Sequence, residues 1–128
     1  MKILFLDDNK KRIEFFKQFN PDADIVENAQ DCIKSLKENG IYDLICLDHD
    51  LGGEVYVNSE NKNTGMEVVR YLESKEYRKY YSSNNVHCFI IVHTWNFKAG
   101  EEMVNRIRNV GYKVVYIPFS FNNTFVVN

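Results

Sequence analysis

The sequence predicts an α/β domain built on a five-stranded parallel sheet. Two observations carry this expectation. Apolar runs of strand length alternate along the chain with segments whose apolar residues recur at helical spacing. The clearest runs are continuous rather than alternating, as in strands covered on both faces. Short connections join most of these segments, which keeps successive elements adjacent in space.

Residues 3–6 form the first apolar run and are expected as a buried strand. Residues 9–19 follow as a helix, because Arg12, Ile13, Phe16 and Phe19 share a face, and Pro21-Asp22 breaks it. Residues 23–26 are a short second strand. In residues 28–38, Ala29, Cys32, Ile33 and Leu36 fall at i, i+3, i+4 and i+7, and Asn39-Gly40 ends the helix. Residues 42–47 are the third strand. Residues 52–63 are polar, open on Gly52-Gly53, and form the one long loop, a length that in compact domains often carries function. Thr64 and Glu67 fit a capping box that opens a third helix, with Val68, Val69 and Leu72 facing inward and a polar end holding Tyr71, Tyr77, Tyr80 and Tyr81. Residues 82–85 read as a turn and 86–92 as the fourth strand. Residues 97–109 are a fourth helix with Ala99, Met103 and Ile107 on one side, ended by Gly111. Residues 112–117 are the fifth strand. The tail, 119–128, alternates weakly and is expected either as an edge strand or packed across the end of the sheet.

The chain of 128 residues suits one domain with a sizeable core, and 45% apolar and 27% charged residues are the balance of a globular protein. A net charge of -2 gives no general pull toward nucleic acid or an anionic membrane, and no run is long enough to span a bilayer. The first strand begins almost at once, so no signal peptide is expected. Cys32, Cys46 and Cys88 are widely spaced inside apolar patterns, which fits reduced core thiols of a cytoplasmic protein rather than a disulfide framework or a zinc site.

Three runs end in polar clusters. Lys2-Ile3-Leu4-Phe5-Leu6 ends in Asp7-Asp8, Leu44-Ile45-Cys46-Leu47 in Asp48-His49-Asp50, and Cys88-Phe89-Ile90-Ile91-Val92 in His93-Thr94-Trp95-Asn96. Ligands of open parallel sheets bind beyond the carboxyl ends of the strands, so these clusters would converge on one site. Carboxylates so close together repel unless a cation lies among them, and oxygen donors of this kind suit Mg²⁺, Mn²⁺ or Ca²⁺. Asp7, Asp8, Asp48 and Asp50 are the candidate metal ligands. Asp8 would otherwise serve as a helix cap and Asp50 as the start of a turn. His49 and His93 read as acid–base groups, phosphate donors or structural histidines. Thr94 is placed to reach a phosphoryl oxygen. Asn96 is a good N-cap that is compatible with an anion contact. Arg12 approaches from the first helix or is a surface charge. Trp95, the one tryptophan, either stacks on a ligand or shields the site.

At these residues the chain resembles the receiver domains of response regulators over nearly its whole length. The resemblance implies a flavodoxin-like, CheY-like fold with strand order 2-1-3-4-5 and helices on both faces. Asp7-Asp8 looks like the acidic pair that holds Mg²⁺, Asp48 like the phospho-accepting aspartate, and Thr94 like the hydroxyl-bearing switch residue. Tyr116-Ile117-Pro118-Phe119 is similar to the final Lys-Pro-Phe element, but Ile117 stands where the family has its phosphate-contacting lysine, and the last helix is missing or replaced by the tail. Leu6-Asp7-Asp8 with Arg12, Leu47-Asp48-His49-Asp50-Leu51-Gly52, Thr64-Gly65, and His93-Thr94-Trp95-Asn96 with Gly100 and Met103 resemble a narrower group, the cyclic-phosphate-processing receiver domains. Against that group's pattern, Thr94 replaces serine, Phe97 replaces proline and Glu102 replaces asparagine.

The resemblance implies binding or hydrolysis of a phosphoester with Mg²⁺ or Mn²⁺, on a phosphorylated small molecule or a nucleotide or RNA end carrying a cyclic phosphate. Asp7, Asp8, Asp48 and Asp50 would hold the cation. Asp48, His93 and His49 would be catalytic, a histidine giving the leaving oxygen its proton. Thr94, Asn96 and Arg12 would hold phosphate. The alternatives are a stand-alone receiver phosphorylated on Asp48, and a degenerate receiver that binds a protein partner or a second copy of itself.

Overall fold

The computed structural model describes residues 1–40, 42–83 and 87–122. Five parallel strands form one sheet, β1 (Ile3–Leu6), β2 (Asp24–Val26), β3 (Leu44–Leu47), β4 (Phe89–Val92) and β5 (Lys113–Tyr116), in the order β2-β1-β3-β4-β5. The helices between them are α1 (Lys10–Phe19), α2 (Ala29–Asn39), α3 (Gly65–Leu72), α4 (Lys75–Ser83) and α5 (Phe97–Asn109). The expected architecture and strand order are those of the structure.

Alternation along the strands divides the core in two. Leu4, Leu6, Ile45, Leu47, Ile90 and Val92 point to the face covered by α2, α3 and α5, where Cys32, Leu36, Met66, Val69, Met103 and Ile107 complete the main cluster. Ile3, Phe5, Leu44, Cys46 and Ile91 point to the other face, where α1 contributes Phe16. The stacked rings of Phe5 and Phe16 lie 4.0 Å apart. The tail adds Phe119, which is buried in this second cluster while its amide donates to His93 O alongside the end of β4. Among the described residues no helix follows β5, and Leu44, Phe89, Ile91, Val115 and Ile117 line an open apolar groove of about 860 Å³ on that face. The remainder of the expected tail, 123–128, residues 84–85 of the expected turn and residue 86 of the expected fourth strand lie outside the described residues. All three cysteines are buried and free, and no helix among the described residues is long and apolar enough to cross a membrane.

Two local expectations are corrected. The single third helix is two, because Ser74 interrupts it. Ser74 Oγ donates to the Tyr71 carbonyl at 2.6 Å and accepts from the Tyr77 amide at 3.3 Å, closing one helix and capping the next. The capping box at Thr64 does not form. The Thr64 hydroxyl donates to the Asn61 carbonyl, and Glu67 accepts from Arg70 Nε at 2.6 Å instead of reaching back. Gly65 at this helix start is required by space: a Cβ there would lie 1.9 Å from the Asp48 carbonyl oxygen and 2.8 Å from Met103 Cε.

Candidate functional site

The strand register brings the three polar clusters together. Leu6 pairs with Leu47 and Leu47 with Val92, so Asp7, Asp48 and His93 leave the sheet side by side. The ladder continues one residue further, since the Asp48 amide donates to Leu6 O and the His93 amide to Leu47 O.

Asp7 is fully buried and Asp48 nearly so. One carboxylate oxygen from each of Asp7, Asp8 and Asp48 lies within 4.8 Å of the others. Arg12 enters this cluster because the Asn9 side chain caps α1, accepting from the Arg12 amide at 3.0 Å and setting the side chain one turn in. Its Nε lies 2.9 Å from Asp7 Oδ2, and its Nη2 lies 3.1 Å from Asp7 Oδ1 and 3.5 Å from Asp48 Oδ2. Burial, and then the Asp7 charge, push the Asp48 carboxyl up to about 7, against Arg12, the His49 amide at 2.8 Å and the Thr94 hydroxyl, which pull it down. Asp48 thus sits where negative charge exceeds the positive charge Arg12 supplies. The donor set is all carboxylate oxygen, and this suits a hard divalent cation such as Mg²⁺ or Mn²⁺. A cavity of about 380 Å³ opens over Asp8, Asp48 and Arg12, with Thr94 and Trp95 on one side and residues 53–55 of the long loop on the other.

Asp50 and His49 do different work from that expected. Asp50 also borders the cavity, yet its oxygens are taken by protein donors. Oδ2 accepts from the Tyr56 amide at 2.7 Å, and Oδ1 from the Val57 amide, from Asn96 Nδ2 and from the His49 ring, whose Nδ1 lies 2.7 Å away. Although partial burial opposes ionisation, His49, Asn96 and the two amides hold the Asp50 carboxyl below its usual range. It does not join the cluster of Asp7, Asp8 and Asp48. His49 is fully buried, and its Nε2 lies 2.9 Å from Ser59 Oγ. Together with the Gly53 amide, which donates to Asp8 Oδ2 at 2.6 Å, these contacts fasten the long loop to the strand ends. Asp8 is therefore not the cap of α1.

The third cluster divides between the site and its support. His93 is buried, stacked on Phe5 at 4.9 Å, with Nδ1 3.7 Å from Asp7 Oδ2 and Nε2 3.2 Å from Leu6 O. Burial lowers its pKa to about 4, so it is neutral near neutral pH. Neither His93 nor His49 lines the cavity over Asp48. The expected proton donors stand behind the carboxylates instead. Thr94 does line the cavity. Asn96 caps α5, accepting from the Ala99 amide at 3.2 Å, while its Nδ2 is spent on Asp50. Its expected phosphate contact gives way to the cap. Ser59 drew no notice in the sequence, and Tyr116 drew notice only as part of the motif at Pro118. Ser59 is one polar residue among many in its loop. Tyr116 ends a strand, and its hydroxyl donates to Thr94 O at 2.7 Å, with its ring so near Gly100 that a Cβ there would lie 2.8 Å away.

The family model described as the cyclic-phosphate processing receiver domain matches residues 2–109, which include all three clusters. The chain belongs to this family. No curated protein matches it. Solved structures of receivers match over most of their length, at identities that show the fold alone. One is the response regulator TrrA from Thermotoga maritima in complex with Mg²⁺ and BeF, with 22% identity, 94% of this chain and 88% of that chain covered, and a TM-score of 0.63. Another is a CheY-like receiver domain from Methanospirillum hungatei JF-1, with 19% identity, 94% and 84% covered, and a TM-score of 0.59. The Mn²⁺-bound response regulator Rcp1 matches with 17% identity, 93% and 81% covered, and a TM-score of 0.58. Ile117, expected to stand where receivers have a lysine, lines the apolar groove, and among the described residues the cation paired with Asp48 is Arg12.

Proposed function

We propose that this cyclic-phosphate processing receiver domain binds, and with a divalent cation hydrolyses, a phosphoester, its natural class being a cyclic phosphate on a nucleotide or RNA end. The observation that carries the reading is the convergence of Asp7, Asp8 and Asp48 beneath a cavity bordered by Arg12 and Thr94. Asp7, Asp8 and Asp48 would hold Mg²⁺ or Mn²⁺. Bound there, the cation supplies charge for the phosphoryl oxygens and lowers the pKa of a water molecule. Arg12 and the Thr94 hydroxyl hold the phosphoryl oxygens that face α1 and α5. Asp50, His49 and Asn96 hold the loop that walls the cavity, and His93 holds Asp7. Ring opening forms one P–O bond from water and breaks one to the sugar, whose oxygen takes up a proton. Purified protein with Mg²⁺ or Mn²⁺ is expected to open 2′,3′-cyclic nucleotides, and Asp48→Asn to abolish this. Absence of turnover across a panel of cyclic nucleotides would refute hydrolysis.

A second reading has one observation in its favour: Asp48 itself, like Thr94, borders the cavity, although little of its surface is exposed. In that case acetyl phosphate with Mg²⁺ would add phosphate to Asp48, visible as a mass increase that Asp48→Asn removes. An unchanged mass would exclude it.

A further inference from the structure

We propose that Trp95 and Phe121 form an aromatic subsite that stacks a nucleobase beside the carboxylate centre. The inference rests on the phosphoester reading and names the part of the ligand that this reading leaves open.

Trp95 directly follows Thr94, yet the two side chains part company. Thr94 is buried, while Trp95 is 53% exposed. A ring that merely sealed the site would be buried against it, and more than half of this one faces solvent. Trp95 borders two cavities. One is the cavity over Asp48, and the other is a neighbouring one of about 340 Å³ lined by Lys11, Phe119 and Phe121. The two share Asn9, Arg12 and Trp95, so a path runs from the carboxylates past Arg12 to an aromatic hollow. Phe121, 52% exposed, also lines this hollow.

Both rings have aromatic neighbours. Phe121 stands edge-on to Phe15 and to Phe119, each at 5.2 Å, and Trp95 meets the Phe97 ring edge-on at 6.0 Å. A fixed ring loses little freedom when a flat partner stacks on it. The ligand that joins a phosphoryl group to a planar π-system is a nucleotide, and stacking of this kind tolerates any base. Lys11 and Arg12 border the hollow and favour the sugar-phosphate side over a neutral aromatic.

The sole tryptophan makes the test direct, because its emission reports this position alone. Wild-type protein with Mg²⁺ is titrated with adenosine 5′-monophosphate and with ribose 5-phosphate, by fluorescence and by calorimetry. The base is expected to improve affinity about 5- to 150-fold and to quench Trp95 emission. In Trp95→Ala the ratio of the two affinities should fall to about one by calorimetry. Trp95→Phe should restore part of it, and Phe121→Ala should reduce it. Equal affinity for both probes in the wild type, or an advantage for the base that survives Trp95→Ala, overturns the subsite and leaves the phosphoester reading intact. Binding of neither probe overturns both.

Discussion

Asp48→Asn separates the electrostatics of the site from its packing. Asp48 is buried beside the Asp7 carboxylate, and its pKa stands at about 7 against the ordinary 3.8. An acid whose folded pKa is raised retains its proton in the folded protein after the unfolded chain has lost it. Stability is then full below pH 3.8 and declines as pH rises toward 7. At ~1.36 kcal/mol per pH unit the decline is as much as ~4 kcal/mol without a cation. Asparagine keeps an acceptor for the His49 amide but carries no charge. In EDTA at pH 8 the variant is expected to be more stable than the wild type by up to ~4 kcal/mol, and the gap should close by pH 4. Urea unfolding followed by circular dichroism across this range measures it. Mg²⁺ should then reverse the order, stabilising the wild type by ~2.7 kcal/mol at a hundredfold excess over Kd and the variant by much less. Equal stabilities at pH 8, or a gap that does not change with pH, would refute the charge argument.

Arg12→Ala should bind Mg²⁺ more tightly by calorimetry, because Arg12 competes for Asp7 and Asp48, and should bind inorganic phosphate more weakly. His93 has the opposite sign to Asp48. Its pKa is lowered from 6.5 to about 4, so its contribution is present above 6.5 and lost as pH falls to 4, about 3 kcal/mol. His93→Leu should flatten that acid limb in urea unfolding measured at stepped pH. Gly65→Ala places a methyl on the Asp48 carbonyl and should cost ~3 kcal/mol of stability in the same assay, whereas nothing lies within 4 Å of a Cβ at Gly53. A Gly65→Ala protein as stable as the wild type would show that α3 does not pack against Asp48 as described.

The strands were legible because each is a run of large apolar residues with a polar stop, and a parallel sheet needs little more. The helices were legible from the helical spacing of their apolar residues, and of the three asparagines that cap them, Asn9, Asn28 and Asn96, only Asn96 was read as a cap. The break at Ser74 was hidden because apolar spacing runs across it, and the hydroxyl that makes the break is a small local signal. Edge position is enough to bring Asp7, Asp8, Asp48 and Thr94 to one end of the sheet. It could not rank the claims on Asp50, Asn96 and His49. The claims on Asp50 and His49 come from Tyr56, Val57 and Ser59, in a loop whose path no periodicity records, and those on Asn96 come from Asp50 and the Ala99 amide. The role of His93 stayed open for another reason. The alternation that sends Phe5 into the second core brings the neighbouring imidazole onto its ring, and a strand-end position alone does not reveal that.

The manner in which the long loop is fastened bears on any mutational survey of this protein. It is tied down at Gly53, Tyr56 and Ser59 by Asp8, Asp50 and His49, residues within or adjoining the carboxylate cluster. Alanine at Asp50 or His49 releases a wall of the cavity. An activity screen would score both among the most sensitive positions, beside Asp48, though their side chains grip the chain itself. Sensitivity and contact with ligand are therefore different maps here, and a screen that reads only activity would draw the first and label it the second.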